Sequence, residues 1–294
     1  MSSLALGKRL CGLLLALAWT ASASANAIVL DQPDGSELIL TEPASRLVVL
    51  SPHLAELAYA AGAGDSLLAT VEYSDFPAEA TRLPRVGDAF RLDIERIVAL
   101  QPDLVIAWGS GNPQAAQEQI RSLGLPVWSV EIRDPGEIAD VLQDMGKATG
   151  NLATAGPAAQ RLRQRLQQLA TRYQGVPVLD YFYQVDERPL FTINGDHLIS
   201  KGLVLCGGHN IFNDQPGLAF QVAHESVIVA NPDALFAPHP KETPDPLAAW
   251  RQWPGMQAVQ TEALFLLPAD EISRATPRWL DSLELACTLL HQLR

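Results

Sequence analysis

The segment "ERIVALQPDLVIA" at residues 95–107 decides the fold, because the chain repeats it as "ESVIVANPDALFA" at residues 225–237. In each copy a glutamate is followed seven residues later by Pro-Asp and then by a short apolar run. An unbroken run of Val, Ile, Leu and Ala is typical of a strand that is buried on both faces of a parallel sheet. The matched glutamate, spacing and strand therefore predict two lobes of related fold.

Short strands alternate with helices on both sides of these segments, which indicates an α/β protein with mostly parallel sheets. Residues 134–175 differ, because almost all of them have a helical pattern that ends at Gly175. We predict an N-terminal α/β lobe at 28–133, a helical connector at 134–175 and a C-terminal α/β lobe at 176–294. A cleft between two lobes is a usual place for a small ligand. The alternative is that the long helix packs as one more layer of a single domain.

The first 25 residues have the pattern of a secretory signal peptide. Lys8 and Arg9 precede the ten-residue apolar run "LCGLLLALAW", and small residues follow in "TASASANA". The apolar run is well short of the ~20 residues of a membrane-spanning helix. We therefore expect an exported protein that is cleaved after Ala25 or Ala27.

The charge of the chain excludes some classes of partner. The full sequence has a net charge of −12, and removal of the two signal-peptide cations without any carboxylate lowers it to −14. A chain this acidic, with no basic patch, is not expected to bind nucleic acid or an anionic membrane. The GxSxG, P-loop and GxGxxG patterns are also missing, so we do not expect an enzyme.

Two of the three cysteines lie outside the signal peptide. Cys206 and Cys287 would both reach an oxidising compartment, so one disulfide between them is the simplest expectation. Such a bond closes a loop of about 80 residues and contributes about 4 kcal/mol to stability. The alternative is two separate buried thiols.

Several stretches resemble one known family across nearly the whole chain beyond the signal peptide. They are "LSPHLAELAYAAG" (50–62), "VEYSDFP" (71–77), "LDIERIVALQPDLVIAWGSGN" (92–112), "LCGGHNIF" (205–212) and "SRATPRW" (273–279). The chain resembles the cobalamin-binding periplasmic proteins of bacterial vitamin B12 import, a helical-backbone class that also includes siderophore and haem binders. The resemblance implies two Rossmann-like α/β lobes joined by a single long rigid helix, with the ligand cleft between the lobes.

The family also implies one surface glutamate per lobe that docks on arginines of a dimeric inner-membrane ABC permease with its ATPase. Glu95 and Glu225 match these positions, and the internal repeat selects the same pair. Two equivalent carboxylates suit a partner with two-fold symmetry, and arginine forks suit carboxylates. The alternative is that each glutamate only complements the dipole at the start of its helix.

The resemblance carries five residues over to a corrinoid site, and we add two phenylalanines where the chain departs from the family pattern, with the corrinoid as transported cargo and no cofactor. Aromatic faces would contact the macrocycle, and polar groups would bind its amides. The site residues are Tyr73, Phe90, Trp108, Phe191, Phe220, Asp270 and Arg274. Phe90 and Phe220 stand near positions where the family often has tryptophan. The alternatives are that Trp108 is a packing residue, Tyr73 a loop residue and Asp270–Arg274 a helical surface pair.

Other ligands and roles stay open at this point. The six histidines are scattered without HxH or HxxxH spacing, so no metal site of the protein is predicted. His209, after Gly207-Gly208, is the one conceivable axial ligand to cobalt or haem iron. A siderophore binder would need more cations than Arg274. A ligand-sensing subunit of a signalling system could use the same fold. We expect a periplasmic monomer that binds a corrinoid.

Overall fold

The computed structural model describes residues 27–294, so the predicted signal peptide lies outside the described residues. The chain first forms an antiparallel hairpin of strands β1 (Ile28–Asp31) and β2 (Glu37–Leu40). Leu30 and Leu40 of this hairpin are buried. The hairpin therefore packs on the core through these two leucines.

The N-terminal lobe is a parallel four-stranded sheet between helices. Its strands are β3 (Leu47–Val49), β4 (Leu67–Ala69), β5 (Leu104–Trp108) and β6 (Val127–Val130), in the order β4-β3-β5-β6. Its helices are α1 (Pro52–Ala60), α2 (Ile94–Ala99) and α3 (Gln114–Ser122), with short 3-10 turns at Gly64–Ser66 and Ala78–Arg82.

Strand β5 shows why the apolar run of the repeat has no polar alternation. Leu104 and Ile106 belong to the cluster that includes α1, whereas Val105 and Ala107 pack with the residues under α2 and α3. All four side chains are fully buried. Both faces of the strand are covered, so both must be apolar.

The C-terminal lobe contains a second parallel sheet in the order β10-β7-β12-β13. Its strands are β7 (Leu179–Tyr183), β10 (Gly208–Asn210), β12 (Ala234–His239) and β13 (Leu264–Pro268). A small antiparallel sheet contains β8 (Asp186–Glu187), β9 (Leu190–Ile193) and β11 (Ala219–Gln221), in the order β11-β9-β8. The helices are α6 (Leu198–Val204), α7 (His224–Ala230), α8 (Gln257–Gln260), α9 (Ala269–Ile272) and α10 (Pro277–His291), with a 3-10 turn at Ala248–Gln252.

The two parallel sheets have the same topology, which confirms the repeat seen in the sequence. If the strands of each parallel sheet are numbered from one within their lobe, both sheets have the order 2-1-3-4. The repeated apolar runs form β5 and β12, the third strand of each sheet. The two lobes are thus built on one plan.

Helices α4 (Glu137–Ala148) and α5 (Leu152–Arg172) lie between the two sheets in the chain. The 21 residues of α5 extend over about 30 Å. Helix α5 packs on α4, and it also contacts α1 of the first lobe and α10 of the second. Arg165 of α5 donates to Asp281 at 2.7 Å and to Glu284 at 2.9 Å, both on α10. The long helix therefore contacts both lobes, as expected of a connector.

The predicted disulfide between Cys206 and Cys287 is present. It joins the residue just after α6 to the middle of α10, with the two Cα atoms 5.5 Å apart. Both cysteines are fully buried. Over residues 27–294, no helix is both long enough and apolar enough to span a membrane.

Candidate ligand-binding site

The N-terminal wall of the cleft lies where the order of the sheet reverses, at the carboxyl ends of β3 and β5. Ligands of open α/β sheets usually bind at this switch point. Trp108 ends β5, and His53 lies on the first turn of α1, just after β3. Their rings pack edge to face, with centroids 5.3 Å apart and planes at 89°. The two adjacent strands thus place an indole and an imidazole side by side.

Buried Asn112 holds the loop that follows Trp108. Its Oδ1 accepts from the Trp108 backbone N–H at 2.7 Å. Its Nδ2 donates to the carbonyls of Leu50 at 2.9 Å and Ala89 at 2.8 Å. Gly111 is required here, because a Cβ at this position would collide with the Trp108 ring. These contacts bring the Phe90 segment beside Trp108, although the Phe90 side chain itself is 70% exposed.

A cavity of about 350 Å³ lies between the lobes, and both lobes line it. Its N-terminal wall includes His53, Trp108, Ser110, Glu131 and Arg133, and its C-terminal wall includes His197, Leu198, Leu218, Ile272 and Arg274. A larger cavity of about 860 Å³ adjoins it, between the β1–β2 hairpin, α3 and α4. Ser110, Glu131 and Arg133 line both cavities, so the two form one continuous recess.

Arg274 brings three of the predicted site residues together at one edge of the cavity. Its Nη2 donates to Asp270 Oδ1 at 2.9 Å and to the Tyr73 carbonyl at 3.2 Å. Its Nη1 donates to Asp75 Oδ1 at 2.6 Å and to Glu56 Oε1 at 3.1 Å. Burial pushes the pKa of Asp75 upward, but the hydrogen bond and charge of Arg274 outweigh it and lower that pKa. The Arg274 charge is therefore matched by three carboxylates.

Sequence reasoning missed three members of this ionic cluster, namely Asp75, Glu56 and Arg278. Glu56 on α1 is buried, and its Oε1 accepts from Arg278 Nη2 at 2.7 Å. Its Oε2 accepts from Arg278 Nε at 3.1 Å, so the pair is bidentate. The Arg278 guanidinium also lies 3.7 Å from the centroid of the Phe76 ring. Arg274 and Arg278 of the second lobe therefore bind Glu56 and contact the 73–76 loop of the first lobe.

The remaining predicted aromatic residues lie outside the smaller cavity. Phe191 and Phe220 lie on the small antiparallel sheet, and the Phe220 ring packs on Phe212 with centroids 6.0 Å apart. Tyr73 has a left-handed φ of 64°, which is uncommon for a bulky residue, and its side chain is 78% exposed. The structure thus brings Trp108 and Arg274 to the cavity, Tyr73 and Asp270 to its edge, and places the phenylalanines elsewhere.

His209 does not line the cavity. Its Nδ1 lies 2.8 Å from Asp180 Oδ1, and its side chain is 52% exposed. Within the described part of the chain, no group of three or more His, Cys, Asp or Glu residues could hold a metal ion. The two histidines at the cavity are instead His53 and His197, which the sequence pattern marks only as helix-start residues.

Glu95 and Glu225 occupy equivalent places. Each is the second residue of its helix, α2 or α7, and each is exposed. Two residues later, Ile97 and Val227 are fully buried and anchor the helices. Neither glutamate side chain makes an ion pair or hydrogen bond with another residue of 27–294. Each helix directly precedes the third strand of its parallel sheet and runs antiparallel to that strand. The N-terminus of the helix therefore lies at the edge where the strands have their carboxyl ends.

The family model described as periplasmic binding protein matches residues 47–271. The chain belongs to the periplasmic binding protein family. The β1–β2 hairpin precedes the matched region, yet residues 31–34 of this hairpin line the larger cavity. The relatives in this family are solute-binding proteins.

Two relatives in this periplasmic binding protein family are vitamin B12-binding proteins. The chain is 40% identical over 249 residues to the vitamin B12-binding protein of Vibrio cholerae serotype O1, which covers 84% of this chain and 90% of that protein. It is 36% identical over 252 residues to the vitamin B12-binding protein of Yersinia pestis strain Pestoides F, covering 85% and 88%.

Two solved structures place the fold among known periplasmic binding proteins. The crystal structure of the periplasmic vitamin B12 binding protein BtuF of Vibrio cholerae superimposes with a TM-score of 0.79 at 39% identity, covering 85% of this chain and 98% of that one. The periplasmic haem binding protein HutB of Vibrio cholerae superimposes with a TM-score of 0.72 at 21% identity, covering 83% and 98%. The second likeness is one of fold alone.

Proposed function

We propose that this protein is a periplasmic solute-binding protein that captures cobalamin or a related corrinoid between its two lobes. It then delivers the corrinoid to an inner-membrane ABC permease dimer with its ATPase. The observation that carries the proposal is the 40% identity to a vitamin B12-binding protein along 90% of that protein's length. Export by a cleaved signal peptide and a monomeric state belong to the same proposal.

The charges around the cavity favour a neutral ligand. Arg274 is matched by Glu56, Asp75 and Asp270, and Arg133 lies 3.5 Å from Glu131. The cavity therefore offers no surplus positive charge for an anionic siderophore or for the carboxylates of haem. Apolar and aromatic walls with a few polar groups suit a macrocycle whose edge carries neutral amides.

The size of a corrinoid determines which residues it would contact. A corrinoid exceeds the 350 Å³ of the space between the lobes, so the bound ligand would extend beyond it. Tyr73, whose carbonyl accepts from Arg274 at the edge of the cavity, is exposed and would cover the extended part. Phe90 is also exposed, next to Ala89, whose carbonyl accepts from Asn112, and we propose it for the same part of the ligand. We assign Trp108 and Arg274 to the inner part of the site and Asp270 to its edge. Phe191 and Phe220 lie on the small antiparallel sheet outside the cavity, and their contact with the ligand stays a prediction.

Calorimetry with cyanocobalamin tests the ligand assignment. The purified protein should bind it with a dissociation constant of about 1 μM or tighter. Trp108→Ala should weaken binding by about tenfold or more, because it removes the broadest aromatic face at the cavity. Trp253→Ala is the matched control, because Trp253 is 41% exposed and does not line the cavity. Tighter binding of haem than of any corrinoid would contradict the assignment.

Charge reversal tests the docking role of the two exposed glutamates. The variant Glu95→Lys/Glu225→Lys should weaken association with the permease complex by about a hundredfold or more, because opposed charges become like charges. Its affinity for cyanocobalamin should not change. Binding to permease proteoliposomes measures the first quantity and calorimetry the second.

The control for docking carries the same change of charge elsewhere on each lobe. Glu118→Lys/Glu262→Lys replaces two other exposed glutamates, one in each lobe. Permease association should be close to that of the unmodified protein. Equal losses in both double variants would show that net charge, not a docking pair, controls association.

A further inference from the structure

Two histidines line the cavity from opposite lobes, at equivalent places in the fold. His53 is the second residue of α1, the first helix of the N-terminal lobe. His197 is the N-cap of α6, the first helix of the C-terminal lobe. An imidazole therefore faces the ligand space from each of the two related sheets.

The surroundings of His53 orient its ring. Its Nδ1 lies 2.8 Å from Ser51 Oγ, and Trp108 packs against the ring. Ser51 Oγ accepts from the Leu54 backbone N–H at 3.5 Å, so its own proton is free to be donated to His53 Nδ1. When the Ser51 hydroxyl donates to Nδ1 in this way, the neutral His53 ring carries its proton on Nε2, and this is the tautomer on which the proposal below is built. Burial lowers the pKa of His53 to about 4, assisted by the charge of Arg274, so the ring is neutral at pH 7.

The tautomer of His197 is fixed by the backbone. Its Nδ1 accepts from the Ile199 N–H at 3.2 Å, so the neutral ring must carry its proton on Nε2. Burial lowers the pKa of His197 to about 4, so this ring is also neutral at pH 7. A metal bond from Nε2 would need the lone pair that this proton occupies. His197 is therefore a hydrogen-bond donor rather than a metal ligand.

Both Nε2 atoms are left for a ligand. Neither makes a hydrogen bond with any residue of the described chain, 27–294. Neither is among the buried polar side-chain atoms that lack a partner there, so both keep access to the cavity. When a ligand fills the cavity, an Nε2–H group that faces it loses its hydrogen-bonded water. Leaving that donor without an acceptor costs its desolvation free energy. The ligand is the group that can pair it.

We propose that His53 and His197 are specificity-determining residues of the corrinoid site, each donating an Nε2–H hydrogen bond to a carboxamide oxygen of the ligand. The inference rests on the proposed function and adds the groups that read the amide edge of the macrocycle. Two donors on opposite lobes require carbonyl oxygens at two separated places on one ligand. This requirement distinguishes an amide-fringed ring from a flat aromatic molecule.

Calorimetry of matched variants with cyanocobalamin tests the proposal. His53→Phe keeps a ring beside Trp108 without a donor, and His197→Asn keeps an N-cap acceptor but is too short to reach the Nε2 position. Each should weaken binding about three- to tenfold, the usual net value of one hydrogen bond. His53→Gln, which restores an N–H near the same place, should recover most of the loss. His209→Phe, outside the cavity, should bind like the unmodified protein.

The outcomes separate this inference from the function on which it rests. If the unmodified protein binds cyanocobalamin and both variants bind it equally well, the histidines have no recognition role and the inference is overturned. If diaquacobinamide changes its visible spectrum on binding and His53→Phe abolishes that change, His53 ligates cobalt and the hydrogen-bond role is wrong. If the unmodified protein binds no corrinoid, the proposed function itself fails.

Discussion

Replacing Glu56 by glutamine is expected to lower the free energy of unfolding by about 3 kcal/mol. The Glu56 side chain is 3% exposed, and it pairs with Arg274 and Arg278, whose side chains are 13% and 22% exposed. The substitution leaves two largely buried guanidinium groups without their shared carboxylate. Breaking a buried ionic cluster by removing one partner is costly because the remaining charge stays desolvated. Urea unfolding followed by circular dichroism measures the loss.

Glu271→Gln is the matched control for this prediction. It makes the same chemical change in another carboxylate near Arg278, at 3.8 Å, but the Glu271 side chain is 33% exposed. Solvent screens this contact, so the expected loss is about 1 kcal/mol or less. Equal losses for the two variants would contradict a special role for burial at Glu56.

The Glu56 cluster also has a consequence for the lobes. Glu56 lies on α1 of the first lobe, whereas Arg274 and Arg278 lie 218 and 222 residues later, in the second. Arg274 lines the cavity as well, so one side chain belongs both to the lobe contact and to the proposed ligand site. A ligand that competes for Arg274 would loosen the contact that holds this edge closed.

Removing the disulfide is the second large change. The variant Cys206→Ala/Cys287→Ala should lower the free energy of unfolding by about 4 kcal/mol, because the bond spans 81 residues and restricts the unfolded chain. The bond also fixes α6 against α10, and both sulfur-bearing residues are fully buried. Chemical unfolding under oxidising conditions measures the difference between the two proteins.

The control uses the same two proteins under reducing conditions. Once the disulfide is reduced, the unfolded state of the unmodified protein is no longer cross-linked. Its free energy of unfolding should then exceed that of the double alanine variant only by the contribution of two buried thiols. If the variant loses less than about 1 kcal/mol under oxidising conditions, the cross-link does not restrict the unfolded chain as the loop length predicts.

The sequence was most informative where structure follows from local pattern. The two copies of the Glu…Pro-Asp unit predicted two related lobes, and both sheets have the order 2-1-3-4. The same unit placed Glu95 and Glu225 at equivalent exposed positions, although their docking role stays a prediction. The cysteine count predicted the Cys206–Cys287 bond, because only two of the three cysteines lie outside the predicted signal peptide and they allow one pairing.

The sequence was least informative where distant segments meet. Asp270 and Arg274 were predicted as ligand-site residues, with a helical surface pair as the alternative, and Arg274 Nη2 lies 2.9 Å from Asp270 Oδ1. Glu56 could not be predicted as their partner, because it is an ordinary helix residue until the second lobe closes on it. His53 and His197 were not assigned to the site for the same reason. One signal could have assigned His53 to the site. It lies just after β3, and β3 and β5 are the neighbouring strands at the switch point of the sheet, where ligands usually bind.

The sequence by itself determined the elements, the two-lobe plan and the acidic character, because apolar periodicity, turn residues and composition act over short stretches. Only the tertiary structure decided which side chains share the cleft. Trp108 ends β5 at the cavity, whereas its counterpart in the repeat, Pro238, does not line it. Contact between the lobes joins segments about 200 residues apart. A local sequence pattern carries no information about that pairing, so it cannot show which residues each of the related lobes presents to the ligand.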